Sequence, residues 1–511
     1  MDHELGLDED EESQHLLSAK KRRIPVRELF ATVWRNLCRP TRYWIFHAVK
    51  YLAVAWGLIA VITPLFMPSY ANPPSHYGQL SQGCYGPPFL AGCANPNNET
   101  VFIAAILHDK DGKLARGKWG QRVTDLIYML GPKNVFLSIY ENDSGDEGRK
   151  ALEDFKEQVP CRNHIVIDDH VSLAEFPNVT MPDGSQRVKR VAYLSELRNR
   201  ALRPLDTFDY QAQQAGVVAF DKVLFLNDIA FYPIDAAHLL FNTNQGADGR
   251  ADYVAACALD WFDPFSIYDI YALRDAEGHA NYQVIYPFFG RDILPFWERL
   301  HVLSQKDAVR VKSCWGGMMA MQAKYVQNLD RELPTPDFQA IAAHVIDPDK
   351  PRNVTSPVRF RHEPEVYYDA CECCLFSADL TQAARQDGDV DTAETGIYVN
   401  PYVRVAYSTG VLWWLPIVKR AERLLVVAYD IATFYIPQAE NPYRTVEEGQ
   451  TFQEEIWDND TDKWQLVNRT GRSGLFCGIR DMQILRREND THTHEANWVN
   501  TKMPPGQNLS F

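Results

Sequence analysis

The stretch FDKVLFLNDIAF, residues 220–231, places four apolar residues directly before an Asn–Asp pair. An apolar run of this length is typical of a buried strand. The pair that follows has two interpretations. It is either an ordinary turn, which both residue types favour, or a site at which Asp228 is held at the tip of a rigid strand. A carboxylate held there can bind a divalent cation, because hard cations prefer oxygen ligands.

Strand-length apolar runs alternate with amphipathic helical patterns on both sides of this stretch. The alternation predicts βαβ units, and hence an α/β fold with a mostly parallel central sheet. Sheets of this class bind ligands at the carboxyl ends of their strands, so the polar residues that close the runs mark the expected site. The predicted strands are 101–109, 134–143, 164–170, 220–228, 253–259, 309–315, 366–376 and 397–407, and the predicted helices are 119–132, 145–158 and 191–205.

Composition and missing motifs disfavour several classes of function. The formal net charge is −15, which argues against a nucleic-acid partner because phosphate backbones require basic surfaces. Neither the dinucleotide-binding glycine motif nor the P-loop motif follows a predicted strand. The G-x-S-x-G and H-E-x-x-H motifs of hydrolases and metalloproteases do not occur either.

The N-terminal region predicts a membrane anchor. Residues 43–67 are almost entirely apolar and exceed the roughly 20 residues that a helix needs to span a bilayer. Basic residues precede this segment, and none follows it before Lys110, which predicts a cytoplasmic N-terminus and a luminal body. The expected organisation is a cytoplasmic tail (1–42), a transmembrane signal anchor (43–67), a luminal stem (68–98), one large domain (99–450) and a partly disordered C-terminal extension (451–511).

Glycosylation signals and cysteines agree with a luminal body. Eight Asn-x-Ser/Thr sequons follow the apolar segment, whereas about two are expected by chance. Nine of the ten cysteines also follow it, in a compartment that allows disulfides, although spacing does not fix their pairing. Cys371, Cys373 and Cys374 resemble half of a zinc motif, but no second half exists, so disulfides are the preferred interpretation. The sequons are at Asn98, Asn142, Asn178, Asn353, Asn459, Asn468, Asn489 and Asn508.

Further residues could serve a site at the predicted sheet edge. Arg198, in the helix before the 220–228 strand, could pair with a phosphate or simply face solvent. Trp315 could stack on a sugar while Gly316 and Gly317 let backbone amides approach it, or the three could form a tight turn over the core. The remaining acidic candidates are Asp260, Asp263, Asp369 and Glu372.

The ordered set of motifs resembles the fungal α-1,3-mannosyltransferase family of the cryptococcal capsule-associated type. The resemblance implies a GT-A-like glycosyltransferase of type II membrane topology in the Golgi. It implies transfer of mannose from GDP-mannose to a mannosyl acceptor with retention, assisted by Mn²⁺ or another divalent cation. The motifs are VFIAAILHD, FLSIYENDS, VAYLSELRNRALRPL, FDKVLFLNDIAF, ACALDWFDPFSIYDIYALRD, VKSCWGGMMA, ECCLFSADL and IYVNPYVRVAY.

The same resemblance implies roles for individual residues. Asp228 takes the place of the metal-binding aspartate, and Arg198 is expected near the diphosphate. The Asn–Asp pair departs from a full Asp-x-Asp motif, so the other metal ligands would be phosphate oxygens, water or a residue such as His362. Retention requires either a carboxylate on the far face of the mannose or attack on the face that GDP leaves, and both remain open. The further donor-binding candidates are Glu141, Ser144, Asn227, Trp315, Gly316 and Gly317, and the catalytic candidates are Asp260 and Glu372.

Two other functions share these features. A membrane-anchored luminal protein with this body could bind glycans or partners without turnover, because a fold does not fix a function. A glycosidase would require two facing carboxylates at short range. The combination of Asp228 with Arg198 favours transfer, because a lectin needs no diphosphate site.

Overall fold

The apolar run at residues 222–226 forms a strand in the middle of an eight-stranded sheet. The computed structural model describes residues 39–84, 90–206, 219–280, 283–290, 297–328, 344–345, 354–426, 441–487 and 497–507. The chain divides into two compact units, Met1–Phe66 and Met67–Phe511, and the sheet belongs to the second.

The strands and helices are numbered here in chain order. The strands are β1 (Val101–Leu107), β2 (Val135–Asn142), β3 (Arg162–Asp168), β4 (Asn178–Thr180), β5 (Gln186–Val188), β6 (Lys222–Leu226), β7 (Ala255–Trp261), β8 (Val309–Arg310), β9 (Met318–Gln322), β10 (His344–Val345), β11 (Arg361–His362), β12 (Asp369–Ala370), β13 (Ile397–Ala406), β14 (Thr451–Asp458), β15 (Lys463–Thr470), β16 (Gly478–Ile479), β17 (Gln483–Leu485) and β18 (Trp498–Asn500). The α-helices are α1 (Arg39–Phe66), α2 (Ser75–Gln82), α3 (Lys118–Leu130), α4 (Gly145–Gln158), α5 (Arg190–Leu202), α6 (Pro233–Phe241), α7 (Trp297–Leu303), α8 (Glu372–Gln386) and α9 (Thr409–Ala421).

Helix α1 is the described part of the first unit. Its segment Tyr43–Phe66, 24 residues long, is long and apolar enough to cross a membrane by length and composition. The predicted cytoplasmic tail lies outside the described residues as far as residue 38.

Strand direction brings many strand ends to one edge of the sheet. The order is β3-β2-β1-β6-β9-β7-β13-β8. Strands β1, β2, β3 and β6 are parallel, as are β7 and β13, whereas β9 is antiparallel to both of its neighbours, β6 and β7. The carboxyl ends of the parallel strands therefore share an edge with the amino end of β9. The predicted α/β class with a mostly parallel central sheet is confirmed.

Both faces of the sheet are buried, which explains why its strands are continuous apolar runs in the sequence. In β1, Phe102 and Ala104 enter one apolar core, while Val101, Ile103 and Ala105 enter the other. This alternation follows from the two-residue period of a strand. All five side chains are fully buried, so the sheet is a rigid layer between two cores.

Two predicted strands in the second half of the chain are wrong in part. In the 366–376 segment only Asp369–Ala370 is a strand, and helix α8 begins at Glu372. The first ten residues of α8 are all buried, so the sequence shows no helical period there. The 309–315 strand shortens to Val309–Arg310.

Residues of the predicted stem belong to the second unit and pack against its body. Tyr70 and Tyr77 are buried, and the Tyr77 hydroxyl accepts a hydrogen bond from Asn400 Nδ2 at 2.6 Å. The main-chain amide of Ser69 also donates to the carbonyl of Lys419 at 2.8 Å. Aromatic side chains in a Pro-rich and Gly-rich sequence thus anchor the segment to the body.

Three disulfides cross-link the second unit. Cys84–Cys93 closes a short loop in the stem region. Cys257–Cys314 links β7 to the segment that leads into Trp315. Cys374–Cys477 joins helix α8 to the C-terminal extension, whose described residues include the β14–β15 hairpin. The domain boundaries themselves stay a prediction.

A buried ion pair joins β13 to the residue that follows α9, and it generates a stability prediction. Arg404 donates to both carboxylate oxygens of Glu422 at 2.8 and 2.9 Å, and both side chains are almost fully buried. Arg404→Leu would leave Glu422 buried without a partner, so we expect a loss of about 3–5 kcal/mol in the free energy of unfolding. Denaturant unfolding would measure it.

Arg310→Leu is the matched control, because its ion pair with Glu394 is partly exposed. Such a pair contributes at most about 1 kcal/mol. Equal losses in the two variants would contradict the assignment of the Arg404 pair as a buried structural contact.

Candidate active site

The Asn227–Asp228 pair after β6 is fixed by hydrogen bonds on both sides of the strand end. The amide of Asn227 donates to the carbonyl of Gly317 at 3.0 Å, and the carbonyl of Asn227 accepts from Trp119 Nε1 at 3.0 Å. The β6–β9 register pairs Leu226 with Met318, which makes this contact a continuation of the ladder. Asp228 therefore follows a rigid strand, with its side chain exposed.

The side chains of this pair suit a hard cation. The Oδ1 atom of Asn227 is buried and has no hydrogen-bond partner among the described residues. Partial loss of hydration raises the pKa of the Asp228 carboxyl, and the nearby His108 opposes that rise. A cation would satisfy the amide oxygen and favour the charged carboxylate, so the donor set fits Mn²⁺ or another divalent ion. His108, which directly follows β1, also lies near the Asp228 carboxyl.

Trp315, Gly316 and Gly317 precede β9, beside the Asn–Asp pair. Both glycines have positive φ angles, 55° and 65°. A Cβ atom on Gly316 would lie 1.9 Å from the carbonyl oxygen of Ala258, so only glycine lets this turn approach β7. This geometry fits the interpretation of a tight turn over the core, because the Trp315 ring is buried against Phe225 and Phe360.

Arg198 of α5 lies between an aromatic ring and a carboxylate. Its guanidinium carbon is 4.5 Å from the centroid of the Trp315 ring, and its Nη1 donates to the carboxylate of Glu372. Burial alone would lower the pKa of Arg198, but the neighbouring Cys373 and Glu372 outweigh it and raise the pKa above its ordinary value. Three of the predicted site residues, Arg198, Trp315 and Glu372, therefore form one cluster.

The two cysteines beside Glu372 do not form the predicted disulfide. Cys371 and Cys373 are buried free thiols, and only Cys374 is disulfide-bonded. Their sulfur atoms and the Glu372 carboxylate lie within 4.8 Å of one another, a spacing compatible with a metal. However, Arg198 Nη1 lies 2.7 Å from Cys373 Sγ, so a guanidinium already supplies the positive charge and would repel a cation.

Asp260, at the end of β7, is held in a network that the sequence did not reveal. Its Oδ1 accepts from the amide of Asp269 at 3.1 Å, and its Oδ2 accepts from the Tyr407 hydroxyl at 3.0 Å. Burial, reinforced by the charge of Asp269, raises the pKa of Asp260 to about 7. The carboxyl of Asp269 accepts from the backbone of Gly316 and feels the charges of Arg198 and Glu372, so the network borders the arginine cluster.

Asp269 and Tyr407 were not predicted as site residues, because Asp269 lies in a loop and Tyr407 closes its predicted strand with an aromatic rather than an acidic side chain. Asp269 lies in a loop nine residues after Asp260, and Tyr407 follows β13. Only the parallel pairing of β7 with β13 brings Tyr407 to Asp260. The carboxylate of Asp260 is thus a shared acceptor between two distant segments.

Glu141 and Ser144 lie at the end of β2 and stabilise the turn into α4. Oε1 of Glu141 accepts from the amide of Ser144 at 2.8 Å, and burial raises the pKa of the Glu141 carboxyl. The Ser144 hydroxyl accepts from the amide of Asp109 at 2.8 Å. Both predicted donor residues are buried, so their role in nucleoside binding stays a prediction.

His362, the suggested additional metal ligand, lies in β11 and is buried. Burial, followed by the positive charge of Lys189, lowers the pKa of His362 to about 4. The neutral imidazole is the form that binds metals. Its participation stays a prediction.

The sequons fall into three groups. Asn142 is 5% exposed, and its Nδ2 donates to the Tyr193 hydroxyl at 2.9 Å, so a glycan there would require displacement of the β2 end. Asn353, Asn489 and Asn508 lie outside the described residues. The exposed sequon asparagines are Asn98, Asn178, Asn459 and Asn468.

Comparisons with known proteins agree with the family resemblance. The family profile described as Cryptococcal mannosyltransferase 1 matches residues 100–379, more than half of the chain. No curated protein matches the sequence. The chain is similar to the solved mannosyltransferase PcManGT from Pyrobaculum calidifontis in complex with GDP-Man and Mn²⁺ (10% identity, 77% of each chain covered, TM-score 0.31). It is also similar to mannosyl-3-phosphoglycerate synthase from Rubrobacter xylanophilus (11% identity, 78% of this chain and 93% of that chain covered, TM-score 0.28).

Close packing at Gly316 generates a prediction. Gly316→Ala combines a left-handed backbone with a direct clash against Ala258, so we expect a loss of more than about 3 kcal/mol in the free energy of unfolding. Gly388→Ala is the control, because Gly388 has a φ of 77° but no atom within 4 Å of the added Cβ. Its cost should be limited to about 1–2 kcal/mol of backbone strain. Similar losses in denaturant unfolding would show that the close approach to Ala258 is unimportant.

The raised pKa of Asp260 generates a pH prediction. Between the pKa of an unfolded aspartate, about 3.9, and the folded value of about 7, the native protein binds a proton that the unfolded chain has released. Stability therefore falls as pH rises through this window. Asp260→Asn removes that titration, so its melting temperature should fall less between pH 5 and pH 8 than that of the wild type. If the melting temperatures of the wild type and of Asp260→Asn fall in parallel between pH 5 and pH 8, the raised pKa of Asp260 is contradicted.

Proposed function

The chain belongs to the Cryptococcal mannosyltransferase 1 family, and we propose that it transfers mannose from GDP-mannose to a mannosyl glycan in α-1,3 linkage with retention. The observation that carries the site assignment is the convergence at one sheet edge of an exposed carboxylate, an unpartnered amide oxygen and a buried arginine–glutamate pair. A diphosphate leaving group requires positive charge at such an edge.

Asn227 and Asp228 are the residues proposed to hold the divalent cation. A bound cation neutralises the diphosphate as it leaves. Because the strand end is fixed by hydrogen bonds to Gly317 and Trp119, these oxygens would be held in place before the donor binds. Preorganisation of this kind lowers the cost of ordering the site.

Arg198 and Glu372 are proposed to act as a pair beside the donor. The guanidinium stays charged, keeps the Glu372 carboxylate oriented, and adds positive potential near the diphosphate. Trp315, on the other side of Arg198, is buried against Phe225 and Phe360 and is proposed to hold the guanidinium in position.

The carboxylate that faces the anomeric carbon is proposed to be Glu372 or Asp260. Asp260 is half protonated near neutral pH, which suits a group that exchanges protons with an acceptor hydroxyl. Glu372, paired with Arg198, suits a group that stabilises positive charge on the sugar. The two environments differ enough to support different roles.

Type II topology and a Golgi location are proposed with this activity. Helix α1 is long and apolar enough to cross a bilayer, and three disulfides require an oxidising compartment. The four exposed sequon asparagines fit the lumen of the secretory pathway.

A direct assay tests the proposal. The full chain in detergent is given GDP-mannose and a mannosyl acceptor, with and without Mn²⁺, and the product linkage is determined by NMR. Wild-type protein should form an α-1,3-mannosyl product in the presence of metal. Absence of both transfer and GDP-mannose binding would overturn the enzyme assignment and favour a luminal glycan-binding protein.

Asp228→Ala tests the cation site. Removal of the carboxylate should reduce metal-dependent transfer by at least about 100-fold, because the loss of a charge-stabilising group at a reacting centre has effects of this size. Asp248→Ala is the control, because Asp248 lies in an exposed turn and accepts from the amide of Arg250. Full metal-dependent activity in Asp228→Ala would refute the cation assignment and leave the enzyme class standing.

A further inference from the structure

Three exposed aromatic rings form a continuous surface at the carboxyl ends of β7 and β13. Phe262, Tyr268 and Tyr407 are 64%, 55% and 38% exposed. The rings of Phe262 and Tyr268 are 6.0 Å apart and close to parallel, and those of Tyr268 and Tyr407 are 4.7 Å apart and edge to face. We call these three residues the aromatic platform. These rings are exposed, so they do not serve as core residues. A contiguous exposed aromatic surface commonly marks a binding site.

The backbone around the aromatic platform is fixed by the central sheet. The amide of Tyr268 donates to the carbonyl of Asp260 at 2.9 Å, and the amide of Tyr407 donates to the carbonyl of Trp261 at 3.2 Å. Residues Trp261 and Ile267 form an antiparallel bridge that closes the turn carrying Phe262. The platform is therefore a rigid extension of two strand ends.

The aromatic platform is continuous with the proposed active site through one carboxylate. The Tyr407 hydroxyl donates to Asp260 Oδ2, and the amide of Asp269 donates to the other oxygen of the same group. Asp269 in turn bonds to the backbone of Gly316 and feels the charges of Arg198 and Glu372. The aromatic platform therefore borders the proposed active site through Asp260, whose buried carboxylate accepts from the Tyr407 hydroxyl.

The chemistry of the surface favours a sugar chain as its occupant. The three side chains present ring faces and phenol hydroxyls, with a carboxylate behind them, and none is aliphatic. Pyranose rings present C–H faces that pack on aromatic rings and hydroxyls that bond to phenols and carboxylates. Two successive ring contacts of 6.0 and 4.7 Å extend the surface beyond the size of one monosaccharide.

We propose that Phe262, Tyr268 and Tyr407 form the acceptor subsite, which binds at least one sugar of a mannosyl oligosaccharide beyond the residue that receives mannose. This proposal rests on the proposed function, because it names where the acceptor of that reaction lies. The platform makes the enzyme prefer oligosaccharide acceptors over a single mannose. It contributes little to GDP-mannose binding, because the proposed donor site is built on Asp228 and Arg198.

Steady-state kinetics with purified full-length protein test this subsite. Phe262→Ala and Tyr268→Ala should each raise the KM for a mannotriose acceptor by about tenfold or more, as truncation of an aromatic contact residue does at binding surfaces. The Kd for GDP-mannose, measured by calorimetry with Mn²⁺ present, should stay within about twofold of the wild-type value. In the same variants, the KM for a monomannoside acceptor should rise much less than the KM for mannotriose.

Two further variants separate ring contact from general disruption. Tyr268→Phe keeps the ring and loses only the phenol hydroxyl, so it should raise the mannotriose KM less than Tyr268→Ala does. Trp413→Ala removes an exposed ring on α9 that packs against Trp414 at 4.9 Å, and it should leave the mannotriose KM unchanged.

The outcomes distinguish this proposal from the proposed function. If wild-type protein transfers mannose but Phe262→Ala and Tyr268→Ala leave the mannotriose KM unchanged, the acceptor subsite is overturned and the enzyme assignment stands. An equal rise of KM for mannotriose and monomannoside would also overturn it, because the platform would then bind no additional sugar. If wild-type protein transfers nothing and does not bind GDP-mannose, the enzyme assignment itself fails.

Discussion

Antiparallel strand β9 lies between β6 and β7, and the geometry of the candidate site depends on this insertion. A fully parallel sheet would bring only strand ends and the loops after them to its carboxyl edge. The reversed strand brings the segment before β9 to the same edge, with Trp315 and its two glycines beside Asp228. The disulfide between Cys257 and Cys314 secures this segment to β7. The close approach is possible only because residue 316 has no side chain.

The charge states of Arg198 and Asp260 at this edge depend on the groups around them rather than on contact with solvent. Arg198 is buried, yet the neighbouring Cys373 and Glu372 raise its pKa. Its guanidinium also lies over the Trp315 ring. Asp260 is buried, and burial raises its pKa to about 7, so it retains its proton up to about neutral pH.

Much of the first half of the fold could be predicted from the sequence. Helix α4 has the predicted bounds 145–158, because its amphipathic pattern is flanked by polar turns. The strand ending before Asp228 was also identifiable, since its run is short and bounded by polar residues. Helix α8 was not, because its first ten residues are all buried, including polar ones such as Glu372 and Asp379, so they show no helical period.

The individual site residues could be named more easily than their relations. Arg198 and Glu372 were separate candidates in the sequence, and only the packing of α5 against α8 made them an ion pair. Asp269 and Tyr407 carried no signal, because their importance comes from a shared hydrogen-bond acceptor on another strand. Long-range contacts of this kind depend on strand order, which residue patterns do not encode directly.

The disulfide between Cys374 and Cys477 has a consequence for resistance of the protein to proteolysis. It closes a loop of 103 residues, between helix α8 and the segment after the β14–β15 hairpin. A protease that cuts any bond within this loop would produce two polypeptides that remain covalently joined. The fragment carrying the hairpin would stay attached to the helix that begins at Glu372, and its release would need reduction as well as cleavage.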